Sequence, residues 1–382
     1  MAEQFVIDSD GHVRESLGDL RAALDPRWRR PLLFPTDSWD RSLGGKLGQA
    51  PQQPREWLAA MDEDGIDVMV LYPTSGLRIG SLHEADFATA LTRVYNDWMR
   101  RFCDTDPARL KYVALLAPQD APAAAHELRR ATTDQKAVGA VLPTNVAGGP
   151  DWGDALYDPI FAEAERLDVP LGFHTGTAHD SVGALRFRKF MAAHTVDHPM
   201  EQMFALCGTI LGGVFERFQR LRIAYLESGI GWVPYMMDRL DEEFEKRGEV
   251  EAPSLTKKPS EYVKSGRIFF GVECEEKTIP DGVAWGLEDT LLYASDYPHW
   301  DGDWPHTIAR VRRRQDLSDE VKRKMLHQNA LRFYGPRLAT ISGRNQEANV
   351  GLASSGSPHH GLVDGRAANR HGARRAPVLD VE

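Results

Sequence analysis

The chain has 382 residues, a formal net charge of −10 at pH 7, and 42% hydrophobic and 27% charged residues. This composition is typical of a globular domain with a large core, and its negative charge argues against binding to a nucleic-acid backbone. Because no apolar run is long enough to span a membrane and no basic segment precedes an apolar N-terminal stretch, we expect neither membrane insertion nor a secretory signal. Three widely spaced cysteines fit a reducing cytoplasm better than a disulfide framework.

Short β-rich apolar runs alternate with stretches of helical periodicity up to about residue 338. This order is typical of βαβ units, and eight predicted strands favour a closed (β/α)8 TIM barrel over an open doubly wound sheet. No G-x-G-x-x-G sequence follows the first strand, as a dinucleotide-binding open sheet would require. The strands are predicted at residues 4–9, 67–72, 111–117, 137–142, 170–174, 222–227, 267–272 and 290–295, and helices at 84–104, 121–133, 159–168, 200–215, 234–246 and 318–333.

The C-terminal segment differs from the rest of the chain in composition. Residues 339–382 are rich in Gly, Ser, Ala and Arg and nearly free of aromatic residues, which predicts a disordered tail after a folded domain of residues 1–338. Three insertions, at 26–55, 177–199 and 247–266, interrupt the strand–helix alternation. The first two follow predicted strands and are candidates for a lid or a substrate pocket.

Polar side chains capable of binding a metal follow or end three of the predicted strands. Asp10 and His12 lie two residues apart at the end of the first strand, so their side chains point the same way. His174 ends the fifth strand and Asp296 follows the eighth. Each of them alone has an ordinary explanation as a turn residue, a helix cap or a satisfied histidine. Because the carboxyl ends of all barrel strands meet at one mouth, we predict that the four bind one divalent ion, with Zn²⁺ favoured and Mn²⁺ or Fe²⁺ also suited.

A family resemblance is carried by the stretches IDSDGHVRES, PLGFHTGT, LLYASDYPHWDG and LHQNALRFYG and by the long block from HPMEQMF to YMMDRLDE. Over residues 4–338 the chain resembles the amidohydrolase superfamily, and within it the group that includes aminocarboxymuconate-semialdehyde decarboxylase. The resemblance implies a (β/α)8 barrel with one catalytic divalent ion. It implies metal-ligand roles for His12, His174 and Asp296 and, by position on the first strand, for Asp10, where many relatives have a histidine.

The sixth strand departs from the pattern of related decarboxylases, which carry a histidine after it. This chain reads LESGIGW there, with Ser228 at the matching position and Glu227 beside it. Glu227 has two equally weighted interpretations: a general base that faces the ion, or a carboxylate paired with an arginine below the barrel mouth. His198 precedes a proline, which predicts an extended backbone and an imidazole that projects into the pocket.

Three residues are predicted to contact the substrate: Ser228, and His299 and Trp300, which follow the eighth strand. The favoured function is non-oxidative decarboxylation, or related C–C cleavage, of a small aromatic or unsaturated carboxylic acid, with Asp296 as metal ligand and proton shuttle. Hydrolysis of an amide, ester or lactone by metal-activated water is the first alternative, because the strand-6 histidine is missing. The second is a non-catalytic barrel that binds a ligand at its mouth.

The expected partner is a small-molecule substrate. A nucleic-acid deaminase is disfavoured, because the chain has neither a Pro-Cys-x-x-Cys zinc signature nor a basic surplus. Apolar and aromatic residues in the predicted helix at 231–244 leave a homodimer open.

Overall fold

The protein folds as a (β/α)8 TIM barrel, as the sequence predicts. The computed structural model describes residues 5–35, 53–176 and 180–339, so most of the predicted tail and part of the first two insertions lie outside the described residues. All eight strands pair in parallel in chain order. The strands are β1 (Ile7–His12), β2 (Val68–Tyr72), β3 (Leu110–Leu115), β4 (Gly139–Pro143), β5 (Leu171–His174), β6 (Ile223–Tyr225), β7 (Ile268–Val272) and β8 (Leu291–Tyr293).

Helices connect the strands and cover the barrel. All six predicted helical stretches are helical, and further helices lie outside them; several begin with proline in the first turn, where the missing backbone N–H costs nothing. The α-helices are α1 (Leu17–Ala23), α2 (Pro54–Asp64), α3 (Ala85–Cys103), α4 (Ala121–Thr133), α5 (Asp158–Leu167), α6 (Phe190–Leu211), α7 (Val214–Arg217), α8 (Val233–Glu251), α9 (Pro259–Val263), α10 (Ile279–Ala284), α11 (Thr307–Arg313), α12 (Asp319–Arg323), α13 (Asn329–Tyr334) and α14 (Pro336–Ala339).

The strands are buried on both faces because helices cover the outside and side chains fill the inside of the barrel. β1 closes against the chain that follows β8. The backbone N–H of Asp296 donates to the carbonyl oxygen of Asp10 (3.1 Å), and that of His12 donates to the carbonyl oxygen of Tyr297 (2.7 Å). This closure brings the first and last strands of the sequence side by side.

Several elements differ from the sequence prediction, and α8 runs to Glu251, into the third predicted insertion. β1 ends at His12 rather than at residue 9, because β2 and the chain after β8 supply backbone partners that extend the strand through polar residues. α6 begins at Phe190, ten residues earlier than predicted. The last predicted helix contains a π-helical turn, Lys324–Gln328, which a regular 3.6-residue period does not reveal.

Among the described residues, no helix is both long enough and apolar enough to cross a bilayer.

Candidate metal centre

Five polar side chains from four strand ends meet at the carboxyl-terminal mouth of the barrel. Asp10 and His12 lie on β1, and His174 ends β5. Glu227 follows β6 and Asp296 follows β8. All but Glu227 are fully or almost fully buried. The four residues predicted to bind the ion therefore come together, with Glu227 added to them.

The ligand-type atoms of these side chains lie close to one another. His12 Nε2 is 3.4 Å from Asp10 Oδ1 and 3.4 Å from Asp296 Oδ1. His174 Nε2 is 3.5 Å from Asp10 Oδ1 and 3.0 Å from Glu227 Oε2, and Glu227 Oε2 is 3.7 Å from His12 Nε2. Atoms that each bind one cation at about 2.0–2.2 Å are separated by about this much.

Hydrogen bonding leaves these same atoms available for a cation. The Nδ1 atom of His12 bonds to the carbonyl oxygen of Pro73 (2.8 Å), and that of His174 to the carbonyl oxygen of Thr175 (3.0 Å). Such bonds place the proton on Nδ1 and leave the Nε2 lone pair free for a metal. Among the described residues, five buried atoms at the mouth have no hydrogen bond of acceptable geometry: Asp10 Oδ1, His12 Nε2, His174 Nε2, Glu227 Oε2 and Asp296 Oδ1. The residues present therefore fit a divalent cation.

The charges in the mouth perturb one another strongly. Burial opposes a charged imidazole at His174, but the carboxylates of Asp10 and Glu227 outweigh it and raise the pKa of His174. Burial likewise disfavours ionised Glu227, but His198 and His174 hold its pKa well below the usual range. Burial and the nearby Glu227 carboxylate raise the pKa of Asp296. A bound cation would take the place of protons at these groups.

Glu227 faces the cluster rather than an arginine. It contacts His12, His174 and His198, and none of the ion pairs among the described residues joins it to an arginine. Its backbone φ of 52° lies in the left-handed region, which is costly for a residue with a long side chain. Asp296 has a φ of 55° as well. Unusual backbone conformations thus aim two of the five carboxylate and imidazole groups at the mouth.

His198 contacts the cluster, but its backbone conformation differs from the one predicted. It lies inside α6, not in an extended segment before Pro199, so the expectation of an extended backbone is wrong. The preference of a pre-proline residue is overridden because the helix is anchored by tertiary contacts of the fully buried Gln202, one turn further on. His198 Nε2 lies 3.2 Å from Glu227 Oε1. Burial opposes a charged imidazole here too, but Glu227 outweighs it and raises the pKa of His198.

His299 packs directly against the ligand cluster. Its Nδ1 atom lies 2.7 Å from Asp296 Oδ1, and its Nε2 atom 3.0 Å from Thr74 Oγ1. Its ring stacks on that of His12, with centroids 4.0 Å apart. Burial lowers the pKa of His299, which favours a neutral ring.

The other two residues predicted to contact substrate occupy different positions. Trp300 is 44% exposed and lies at the rim, where its ring centroid is 5.6 Å from that of Phe190 and 5.9 Å from that of His194. Ser228 Oγ accepts a hydrogen bond from Trp232 Nε1 (3.2 Å). A substrate contact by either residue stays a prediction.

Sequence reasoning missed Glu273, which follows β7 directly. Burial, Asp296 and Glu275 raise its pKa to about 10, so this carboxyl group is protonated at neutral pH. The rule that identified the ligands, a polar residue directly after an apolar strand, would have found it as well. His194, whose ring centroid is 4.8 Å from that of His198, adds a further imidazole on the rim side.

Comparisons with known proteins agree with this architecture. A family model described as Amidohydrolase matches residues 7–335. A 2-amino-3-carboxymuconate-6-semialdehyde decarboxylase of Dictyostelium discoideum is 26% identical over 277 residues, which cover 72% of this chain and 74% of the relative. A gamma-resorcylate decarboxylase of Rhodococcus jostii is 31% identical over 193 residues, covering 48% and 58% respectively. The crystal structure of a 5-carboxyvanillate decarboxylase from Novosphingobium aromaticivorans, complexed with manganese and 4-hydroxy-3-methoxy-5-nitrobenzoic acid, superimposes with a TM-score of 0.68 at 23% identity, over 87% of this chain and 96% of that one.

Proposed function

Because the chain belongs to the amidohydrolase family, we propose that it is a metal-dependent enzyme that decarboxylates a small aromatic or unsaturated carboxylic acid without an oxidant. The convergence at the barrel mouth of five ligand-type atoms without hydrogen bonds to the described part of the chain carries this proposal, because one bound cation would satisfy all of them at once. Relatives named as decarboxylases of gamma-resorcylate and 2-amino-3-carboxymuconate-6-semialdehyde support the reaction class.

Asp10, His12, His174 and Asp296 are the residues that would hold the cation. When bound, a divalent ion supplies positive charge that orients an anionic substrate and stabilises negative charge developing on it. The composition of nitrogen and oxygen donors alone favours Zn²⁺, whereas the solved 5-carboxyvanillate decarboxylase was complexed with manganese.

The reaction breaks the bond between the carboxyl carbon and the ring or alkene carbon, and CO₂ leaves. The electron pair stays on the ring or alkene carbon, which then takes up one proton. Asp296 is placed to deliver that proton, and His299, 2.7 Å from its Oδ1 atom, orients it. Glu227 and His198 add further ionisable groups to the pocket. Ser228 and Trp300 would contact the remainder of the substrate.

Hydrolysis is the second candidate, and one observation favours it. Glu227 lies next to Ser228, the position at which related decarboxylases carry a histidine. A carboxylate at a metal centre is able to take a proton from water. Isotopes distinguish the two reactions, since only hydrolysis incorporates oxygen from water into an acid product.

The test is an assay with carboxyl-¹³C-labelled gamma-resorcylate and 5-carboxyvanillate in H₂¹⁸O, with Mn²⁺ or Zn²⁺ supplied. We expect labelled CO₂ from at least one acid, and a fall of about 10³-fold or more in the rate of a His12→Ala/His174→Ala double variant. The decarboxylase proposal fails if the metal-loaded protein releases no labelled CO₂ from a panel of aromatic and unsaturated acids but incorporates ¹⁸O into products of ester, lactone or amide substrates.

A further inference from the structure

We propose that Glu227 is a fifth protein ligand of the cation and that His198 holds it in that role. The inference rests on the proposed function, because it concerns the cation of the same site. In this role Glu227 is not a base that acts on the substrate or on water. It is a metal ligand that contributes to the selectivity of the site for one ion over another.

The two carboxylate oxygens of Glu227 have different surroundings. Oε2 lies 3.0 Å from His174 Nε2 and 3.7 Å from His12 Nε2, and it has no hydrogen bond of acceptable geometry among the described residues. Oε1 lies 3.2 Å from His198 Nε2. One oxygen turned toward the ligand atoms and the other held by a second residue is the arrangement of a carboxylate that binds a metal through a single oxygen.

The backbone around Glu227 also serves this placement. Its φ of 52° is a conformation that residues with a long side chain seldom adopt, and it turns the side chain from the end of β6 toward His174. Gln202 Nε2 donates to the carbonyl oxygens of Phe173 (2.9 Å) and Leu226 (2.8 Å), which directly precede His174 and Glu227 in the chain. A single buried side chain of α6 therefore fixes the spacing between these two ligands.

A fifth ligand changes the chemistry of the site. The donor set becomes three carboxylates and two imidazoles, whose formal charge of about −3 exceeds that of the divalent ion. Five protein ligands are more than a tetrahedral zinc site uses, and oxygen-rich sets suit Mn²⁺ better than sets rich in imidazole. Glu227 thus shifts the selectivity of this site toward manganese, relative to a site with a histidine in its place.

Metal binding to purified, chelator-treated protein tests the assignment without an activity assay. Titration with Mn²⁺, followed by the electron paramagnetic resonance signal of the free ion, is expected to show a Kd about 100-fold higher for Glu227→Gln and about 10-fold higher for His198→Asn. Glu201→Gln is the matched control: it neutralises another buried carboxyl group, which accepts a hydrogen bond from the backbone N–H of Val182 and does not touch the proposed ligands, and its Kd should stay within about threefold of wild type.

Two further readouts address coordination and selectivity. In Co²⁺-substituted protein, Glu227→Gln should intensify the visible absorption, because d–d bands strengthen as the coordination number falls. Glu227→His should raise the preference for Zn²⁺ over Mn²⁺ by about tenfold or more. Thermal unfolding and near-UV circular dichroism show whether each variant is folded.

The possible failures are distinct. If folded Glu227→Gln binds Mn²⁺ as tightly as wild type and keeps its Co²⁺ spectrum, while the His12→Ala/His174→Ala variant loses the ion, Glu227 is not a ligand and the proposed metal enzyme stands. If the wild-type protein binds neither Mn²⁺ nor Zn²⁺, the proposed function is overturned together with this inference.

Discussion

Buried polar atoms are stable in a protein only when a hydrogen bond or an ion satisfies them. At the barrel mouth, the Nδ1 atoms of His12 and His174 bond to backbone carbonyl oxygens, and their Nε2 atoms have no hydrogen bond among the described residues. His299 is the exception, because both its ring nitrogens have partners, Asp296 on one side and Thr74 on the other. We therefore predict that His299 orients the Asp296 carboxylate.

Thr74→Val tests the role of His299. The substitution keeps the shape of the side chain and removes the hydroxyl that bonds to Nε2 of His299, so the ring loses one of the contacts that fix its orientation. We expect kcat for decarboxylation to fall by about tenfold with little change in KM. Thr74→Ser keeps the hydroxyl and should retain nearly full activity. Equal loss in both variants would contradict an orienting role for this hydrogen bond.

At the scale of an element, α6 links the helical layer to the site. Its residues His198 and Gln202 are one turn apart and therefore lie on the same face of the helix, which is turned toward the ends of β5 and β6. The early start of α6, at Phe190, also brings His194 and Phe190 to the rim beside Trp300. The insertion after β5 thus becomes helix in its second half and forms one wall of the mouth.

Gln202→Leu tests this link. The variant removes the side-chain donor from two buried carbonyl oxygens, although that of Phe173 keeps the backbone N–H of Leu226 as a donor. We therefore expect a loss of about 1–3 kcal/mol in the free energy of unfolding. Because those carbonyls precede two of the proposed ligands, the Kd for Mn²⁺ should also rise by about tenfold.

Gln119→Leu is the matched control for that variant. Gln119 likewise donates through Nε2 to two carbonyl oxygens, those of Ile79 and Leu82, but these do not adjoin a proposed ligand. Both variants should lose stability, measured by urea unfolding, and only Gln202→Leu should weaken metal binding. Equal effects on the Mn²⁺ Kd would show that α6 does not position the ligands.

At the scale of the whole molecule, barrel closure creates the site. Asp10 and Asp296 are far apart in the chain, yet a backbone hydrogen bond joins them where β1 meets the chain after β8. Parallel strands that all point toward one mouth bring His174 and Glu227 to the same place from the opposite side. The homodimer left open by the sequence, and the cytoplasmic location, stay predictions, and light scattering of the purified protein would decide the first.

Removal of the cation should destabilise the whole barrel. Without it, three carboxylates share a buried site with two imidazoles, and ligand-linked stabilisation is lost, which amounts to about 2.7 kcal/mol at a free-ion concentration of 100 times Kd. We expect treatment with a chelator to lower Tm by about 5 °C, and added Mn²⁺ to restore it. The His12→Ala/His174→Ala variant is the control and should show no metal-dependent shift. A wild-type Tm that is indifferent to both chelator and metal would argue against a buried cation.

Most of the fold was predictable because its signals are local. Apolar runs separated by helical periodicity indicated all eight strands and six of the helical stretches, and their alternation indicated a parallel barrel. Polar residues at strand ends indicated Asp10, His12, His174 and Asp296 as neighbours, since barrel topology alone requires strand ends to share a mouth. The same rule would have included Glu273.

Local sequence patterns were therefore enough to predict the barrel and the end of it at which the candidate ligands meet. Three features depend on contacts between distant segments: His198 is helical, α6 begins at Phe190, and Glu227 turns toward the histidines instead of toward an arginine. Hydrophobic periodicity depends on the pattern of neighbouring residues along the chain. The direction of a single side chain depends on backbone angles and hydrogen bonds that distant strands and helices impose.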